Sequence, residues 1–182
     1  MFGRVILPNM SLGDRGETAA LRAMAHPTRL RILSLLTGAS MTAAEVAREL
    51  GLTHANASYH LRNLLAAGMI TPDGEERIRG GVAKRYRHDP GVERRGKLTG
   101  AESRALFLAT ADELIRRAAF GAWSEKKLMT DAELWVEPEI WLAVQERVTA
   151  ASNDLHAAAR APRTPGTIRT STSLAMFQME TE

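Results

Sequence analysis

Apolar residues recur with the 3.6-residue period of amphipathic helices over residues 27–67, and the pattern changes to a rough alternation over 69–88. The first stretch therefore predicts helices and the second predicts strands. The helix that starts at Pro27 is apolar on most sides, which is expected of the central helix of a small core. A preceding helix is predicted over 17–25, and it ends where His26 precedes the proline.

Two short helices joined by a tight turn are predicted next. Thr42 and Glu45 form a capping box at the start of the first helix, and Gly51 ends it at a position that favours a left-handed residue. Thr53 is the N-cap candidate of the second helix, which Gly68 closes. Two helices of this length around a glycine turn are typical of a helix-turn-helix.

The second of these helices has one apolar stripe and one mainly polar face. The stripe is formed by Ala57, Leu61, Leu64 and Leu65. At about 100° per residue, the opposite face is formed by Ala55, Asn56, Tyr59, Arg62, Asn63 and Ala66. Arginine and asparagine can form paired hydrogen bonds with guanine and adenine edges. The polar face is therefore a candidate for reading DNA bases, and an ordinary solvated surface is the alternative.

Four residues at the margins of this face need separate treatment. His54 lies in the first turn, where the side chains of a recognition helix usually reach bases. Thr53 and Ser58 lie beside it and are also candidate DNA contacts. His60 lies on the flank of the apolar stripe, and we expect it to pack partly against the core.

Residues 69–88 have the pattern of a β-hairpin, with Gly80-Gly81 at its turn. Basic residues crowd around that turn: Arg77, Arg79, Lys84, Arg85 and Arg87. A hairpin with a basic tip directly after a recognition helix is a wing. Its positive charge would lie along the phosphate backbone next to the groove that the helix enters.

Four short segments within residues 12–90 carry a family resemblance. They are HPTRL (26–30), SYHL (58–61), AGMI (67–70) and GVAKRYR (81–87). In these segments the chain resembles the winged-helix domain of ArsR-type bacterial transcription regulators, and the last looks most like a branch with an extra C-terminal region of helices and sheet. The resemblance implies a homodimer on double-stranded DNA, with each recognition helix in a major groove of a roughly palindromic operator. It also favours a repressor.

A second domain is predicted over residues 99–182, so the expected fold class is α+β, mainly α with a small β part. Thr99 and Glu102 form a capping box for a helix that runs to about Phe120 and has a broad apolar face. The resemblance places at this position a helix that pairs with its copy across the dimer axis. Packing within its own chain is the alternative.

The remaining residues predict a small α+β unit for dimerisation or effector binding. Strands are predicted over 131–137 and 167–179, on either side of a long helix that begins at Pro138 and a loop over 161–166. The two strands could pair with each other or with those of a partner chain. Four aromatic side chains are candidates for a pocket that binds a small-molecule effector, although aromatics at such spacing more often belong to a core. They are Trp123, Trp135, Trp141 and Phe177.

The net charge of +3 conceals an asymmetry between the two halves. Residues 12–97 contain 14 Lys and Arg against 9 Asp and Glu, whereas residues 98–182 contain 9 against 12. A basic half joined to an acidic half indicates a nucleic-acid module beside a part with another role.

Several kinds of chemistry are not expected. The chain has no cysteine, which excludes disulfides, thiolate metal sites and cysteine nucleophiles and suits a cytoplasmic protein. Its five histidines lack the spacing of metal ligands, so neither a metal site nor a cofactor is expected. No phosphate-binding loop or hydrolase motif is present, which argues against an enzyme. No apolar run approaches the roughly 20 residues of a membrane span, and no signal peptide is seen.

Three functions follow from these patterns. The first, which we expect, is a sequence-specific dimeric transcription regulator, a repressor released from DNA when an effector binds the C-terminal half. The second is a winged-helix module for protein association. The third is a non-specific nucleic-acid binder in which the wing arginines dominate, and a steep salt dependence without sequence discrimination would identify it.

Overall fold

The computed structural model describes residues 26–78, 80–89 and 100–180. The helix predicted over 17–25, the capping box at Thr99 and the basic residue Arg79 lie outside this part of the chain. The elements are, in order, α1 (Pro27–Gly38), β1 (Met41–Thr42), α2 (Ala43–Leu50), α3 (His54–Ala66), β2 (Thr71–Ile78), β3 (Gly81–Arg87), α4 (Gly100–Ala118) and α5 (Pro138–Ala158). The α+β class is confirmed.

The core of the first half lies where α1, α2 and α3 meet the base of the sheet. Its buried members are Ile32, Leu33, Leu36, Met41, Val46, Ala47, Ala57, Leu61, Leu64, Met69 and Ile70. The apolar stripe predicted for α3 is confirmed at Ala57, Leu61 and Leu64, but the prediction for Leu65 is wrong because its side chain is 37% exposed. Leu65 follows Leu64 by one residue, and the helical turn of about 100° carries it away from the centre of the stripe.

Local hydrogen bonds fix the start of α2. The Thr42 hydroxyl accepts from the backbone N–H of Glu45 at 3.3 Å, and the Glu45 carboxylate accepts from the backbone N–H of Thr42 at 2.8 Å. These two bonds form the predicted capping box. Gly51 ends the helix with φ of 66°, a conformation in which glycine avoids the strain of a side chain.

The sheet is antiparallel, with strand order β1-β3-β2. Met41 pairs with Tyr86 at its base, and Ile78 pairs with Gly81 beside the turn. Every residue of β2 is exposed, so this strand projects from the core as part of a hairpin. The predicted wing is therefore present in the fold.

The two predicted C-terminal strands are wrong. Residues 126–137 and 167–180 have no regular secondary structure, whereas the helix that begins at Pro138 and the turns over 161–166 are confirmed. The two segments carry strand-like sequences, but a strand is stabilised by pairing with a neighbour, and neither segment has one among the described residues. The C-terminal region is helical, with extended segments around α5.

The loop after α5 contacts the winged half near Gly38 and at Glu49. A Cβ atom built on Gly38, at the end of α1, would lie 2.5 Å from the carbonyl oxygen of Arg160, so only glycine allows this approach. Arg163 donates hydrogen bonds of 2.8–2.9 Å to both carboxylate oxygens of Glu49 on α2. The loop after α5 therefore rests on the helix-turn-helix.

A buried carboxylate lies where α4 packs on α1. Glu113 is only 2% exposed and accepts three hydrogen bonds of 2.8–3.0 Å from Arg116, while Arg117 lies 3.5 Å away. Burial acts to raise the pKa of Glu113, but the hydrogen bonds and charge of Arg116, with the charges of Arg117 and Arg31, outweigh burial and hold that pKa below its ordinary value. Arg116 and Arg117 belong to α4 like Glu113, so these ion pairs lie within that helix, and Arg31 on α1 adds a smaller electrostatic contribution. None of the described helices is long and apolar enough to span a membrane.

Candidate nucleic-acid interface

The outer face of α3 is a mainly polar surface that is open to solvent. Ala55, Asn56, Arg62 and Ala66 are exposed, and Tyr59 is 52% exposed. Within the described part of the chain, the side chains of Asn56 and Arg62 make no hydrogen bond or ion pair. They are therefore available to an external ligand.

Asn63 belongs to the same predicted face but is less accessible. Its side chain is half-buried, and its amide nitrogen has no hydrogen-bond partner among the described residues. Asn63 therefore lies at the margin of the face.

The N-terminus of α3 is capped and open to solvent. The Thr53 hydroxyl accepts from the backbone N–H of Asn56 at 3.2 Å, while His54 is exposed and Ser58 is half-buried. Backbone N–H groups in the first turn of a helix carry partial positive charge. This end of α3 is suited to lie near a phosphate or a base edge.

His60 lies beneath this face, as expected from its place on the flank of the stripe. His60 is 9% exposed, and its ring centroid lies 5.0 Å from that of His26, the residue that caps α1. Burial lowers the pKa of His60, and the neighbouring charges of His26 and Arg29 lower it further. His60 thus supports α3 in its neutral form and does not face outward.

The described basic residues of the wing are divided between its two faces. Val82 lies directly opposite Arg77, and Lys84 lies opposite Glu75, so Arg77 and Lys84 share one face. Arg85 and Arg87 lie on the other face, because alternate residues of a strand point to opposite sides. Arg77, Lys84 and Arg87 are exposed. Arg87 makes a weak ion pair of 3.8 Å with Asp73.

Arg85 is directed back to the body of the protein. Its guanidinium donates to the carbonyl oxygen of Ser40 and to the carboxylate of Glu76, and it lies 3.3 Å from the carboxylate of Glu45. The side chain therefore joins the wing to the start of α2. The sequence gives little sign of this role, because the three acceptors lie 9 to 45 positions away.

Glu45 consequently has two functions in the fold. Burial acts to raise its pKa, but the hydrogen bonds from Thr42 and the positive charges of Arg85 and Arg48 outweigh burial and lower that pKa overall. The capping box was visible in the sequence, whereas the ion pair with the wing was not.

The four aromatic candidates for an effector pocket are not brought together. Trp123 is 60% exposed, Trp135 is 87% exposed, and Phe177 packs on Phe107 with ring centroids 5.2 Å apart. No two of the four rings are in contact in the described structure, and Trp141 is half-buried on α5. An open cavity of about 250 Å³ lies elsewhere, between α5 and the C-terminal extended segment. It is lined by Gln145, Val148, Thr149, Ser152, Asn153, Leu174 and Met176.

The described residues contain no group of three or more histidine, aspartate or glutamate side chains that could hold a metal ion.

The family model of a helix-turn-helix domain matches residues 24–73. The matched range includes α1, α2 and α3 and the start of β2. No curated protein matches the chain. The match and the geometry agree that this chain contains a helix-turn-helix domain, which indicates a DNA-binding regulator.

Proposed function

Starting from this helix-turn-helix domain, we propose that the protein is a homodimeric, sequence-specific transcription regulator of the ArsR type that acts in the cytoplasm as a repressor. The observation that carries the proposal is the outer face of α3, where Asn56, Tyr59 and Arg62 stand together in solvent. These are side chains that can reach base edges or phosphates.

The dimensions of α3 suit a major groove. Its 13 residues span about 20 Å at 1.5 Å per residue, and small alanines at positions 55 and 66 let the backbone approach the duplex. In this arrangement Thr53 and His54 lie at the end that enters the groove. The wing then extends along the adjacent backbone, where Arg77, Lys84 and Arg87 offer positive charge to phosphates.

The proposed dimer explains the large apolar surface of the second half. Leu108 and Ile115 on α4 are 70% and 72% exposed, which is unusual for two large apolar side chains on one helix. A two-fold dimer would cover them and would present two α3 helices to a palindromic site.

We further propose that the second half receives the regulatory signal. The cavity beside α5 has a mixed lining, with Gln145, Thr149 and Asn153 as polar groups and Val148, Leu174 and Met176 as apolar ones. That lining suits a small amphipathic molecule better than the four separated aromatic rings do. We propose no catalytic activity, metal or cofactor for this chain.

Selection of bound sites from random double-stranded DNA by the purified protein tests this function. A roughly palindromic motif, with half-sites about one helical turn apart, is the expected result. Retention that disappears at moderate salt without any enriched motif would identify a non-specific binder. Failure to retain DNA at any salt concentration would instead favour a module for protein association.

A further inference from the structure

Two consecutive tight turns follow α5. The backbone N–H of Thr164 donates to the carbonyl oxygen of Ala161 at 3.2 Å, and the N–H of Thr167 donates to that of Thr164 at the same distance. The hydroxyl of each threonine donates to the same carbonyl as its own N–H, at 2.7 Å and 2.6 Å. These four bonds give the loop after α5 a defined shape. We call residues 159–167 the apex loop.

The two turns share one pattern and differ at a single position. The first reads APRT and the second reads TPGT. Proline at the second place and a positive φ at the third are features of a type II turn, in which the third place favours glycine. The second turn has Gly166 there, with φ of 76°, whereas the first has Arg163, with φ of 63°. Among the described residues, Arg163 is the only one other than glycine with a positive φ. A Cβ atom disfavours this conformation, so another contact must stabilise it.

That contact is the ion pair of Arg163 with α2. Its guanidinium donates to both carboxylate oxygens of Glu49 at 2.8–2.9 Å. The Glu49 side chain is only 17% exposed, although that of Arg163 is 72% exposed. Glu49 is the last but one residue of α2, directly before the turn into α3. The strained arginine therefore binds the helix-turn-helix beside the entry to its second helix.

A type II turn has an alternative form that would relieve this strain. Rotation of the peptide group between its two central residues gives a type I turn, in which the third residue has a negative φ. Proline at the second place is compatible with both forms. The rotation would change φ of Arg163 by roughly 150° and turn its side chain away from Glu49. The turn over 161–164 can thus exist with the ion pair and strained, or without both.

The apex loop also joins the two walls of the cavity beside α5. One wall is α5 itself, which contributes Ser152 and Asn153 and ends at Ala158. The other wall is the extended segment after the loop, which contributes Leu174 and Met176. The lining contains no charged side chain. It therefore suits an uncharged molecule, and such a molecule would act on the loop through both walls.

The start of the apex loop is fixed against α1. The carbonyl oxygen of Arg160 occupies the space in which Gly38 would carry a Cβ atom, and its guanidinium donates to the carbonyl oxygens of Ala158 and Ala159 at 3.1 Å and 3.0 Å. A change in the separation of the cavity walls therefore falls on the turn that follows, which contains the strained residue.

We propose that the turn over 161–164 is a switch between the cavity and the helix-turn-helix. An uncharged molecule between α5 and the extended segment spreads the two walls, the turn changes to the type I form, and Arg163 releases Glu49. The end of α2 then loses a restraint, and the affinity for DNA decreases. The switch rests on the proposed function and names the path of its regulatory signal.

A covalent occupant of the cavity tests the switch, because the chain has no native cysteine. Ser152→Cys, labelled with benzyl methanethiosulfonate, places an uncharged ring between the walls. Thr149→Cys offers a second lining position if that variant folds poorly. Ala143→Cys is exposed on the far side of α5 and is the control for the label. The measured quantity is the dissociation constant for the selected DNA site with and without the label.

The effect of the label should require Arg163. Labelled Ser152→Cys should bind the site about fivefold or more weakly than the unlabelled variant, and the difference should fall below about twofold when Arg163→Gly is added. Glycine accepts the positive φ, so Arg163→Gly keeps the turn and removes only the ion pair. Arg169→Gly, in the extended segment, is the matched control and should leave the full effect of the label. An equal effect of the label with and without Arg163→Gly would overturn the switch, as would no effect in the otherwise native chain.

Amide hydrogen exchange separates the switch from DNA binding. The label on Ser152→Cys should speed exchange over residues 47–53, at the end of α2 and the turn into α3, and Arg163→Gly should abolish the difference. Unchanged exchange would overturn the switch even if site selection yields an operator. Faster exchange in a protein that selects no DNA motif would instead overturn the proposed function and leave the connection between cavity and α2 standing.

Discussion

Neighbouring side chains of α3 have different tasks because a helix turns by about 100° per residue. Tyr59 and Arg62 point to solvent, whereas His60 lies against His26 beneath the helix. A substitution on the outer face should therefore change DNA binding, and one on the inner face should change stability.

Replacing Arg62 by alanine tests the outer face. If Arg62 contacts a base, Arg62→Ala should weaken binding to the selected site by about 1–3 kcal/mol and leave binding to random DNA nearly unchanged. Titration of both DNAs at one salt concentration measures the difference. Arg147→Ala, an exposed substitution on α5, is the control. Equal weakening on both DNAs would make Arg62 a phosphate contact.

His60 should make stability depend on pH. Its pKa in the folded protein lies below the value of 6.5 that it takes when unfolded, so the unfolded state binds more protons as the pH falls through that range. The free energy of unfolding should be constant above about pH 7 and should decrease as the pH falls below 6.5. Urea unfolding at several pH values measures this.

His60→Gln should remove most of this decrease between neutral and mildly acidic pH. His54→Gln, an exposed substitution on the same helix, should retain it. A decrease of the same size in wild type and His60→Gln would assign the pH dependence to other groups.

Among the elements, Arg85 joins the wing to the start of α2. Arg85→Ala should lower the free energy of unfolding by about 1–2 kcal/mol, because it removes charge-assisted hydrogen bonds to Ser40 and Glu76 at a half-buried site. Its neighbour Lys84 is exposed, so Lys84→Ala should change stability by less than about 0.5 kcal/mol. Denaturant unfolding of the two variants compares them.

For DNA binding we expect the reverse order, with a larger effect from Lys84→Ala than from Arg85→Ala. Lys84→Ala should weaken binding to all sequences alike and make the salt dependence shallower, since one phosphate contact is lost. A normal salt slope for Lys84→Ala would remove Lys84 from the proposed interface.

Elements that depend on residues close together in the sequence could be predicted, whereas those that depend on contacts between distant residues could not. The capping box at Thr42, the turn at Gly51 and the hairpin at Gly80 each depend on residues a few positions apart. The prediction of two C-terminal strands was wrong because a high β-propensity shows only that a segment would fit in a sheet. It does not provide the neighbouring strand with which the segment must pair. The exposed face of α3 could be predicted from the helical period of the sequence, whereas the ion pairs of Arg85 became visible only in the tertiary structure.

In the whole molecule, Glu113 is a buried charge where α4 packs on α1. Glu113→Gln should lower the free energy of unfolding by about 1–3 kcal/mol at neutral pH, because hydrogen bonds to a charged group contribute this much and the neutral amide cannot replace them. Asp112→Asn, at the adjacent exposed position, is the control and should have little effect.

Glu113→Gln should also change how the free energy of unfolding depends on pH in the acidic range. Because the pKa of Glu113 is lowered in the folded protein, its contribution is present above the ordinary value of 4.5 and is lost as the pH falls below it. Glu113→Gln should therefore lose less stability than wild type between pH 5 and pH 3. Parallel losses in the two proteins would show that the Glu113 carboxylate does not stabilise the fold in this way.

The contact of Arg163 with Glu49 has a consequence for the order in which the chain folds. The two residues are 114 positions apart, whereas the core of the first half is built from residues 32–70. Closing a long loop has an entropic cost, so the short-range core should form first and the loop after α5 should dock in a later, slower step. On the ribosome the order is the same, since residues 26–89 emerge long before Arg163 is synthesised. The helix-turn-helix therefore has time to take shape before the rest of the chain reaches it.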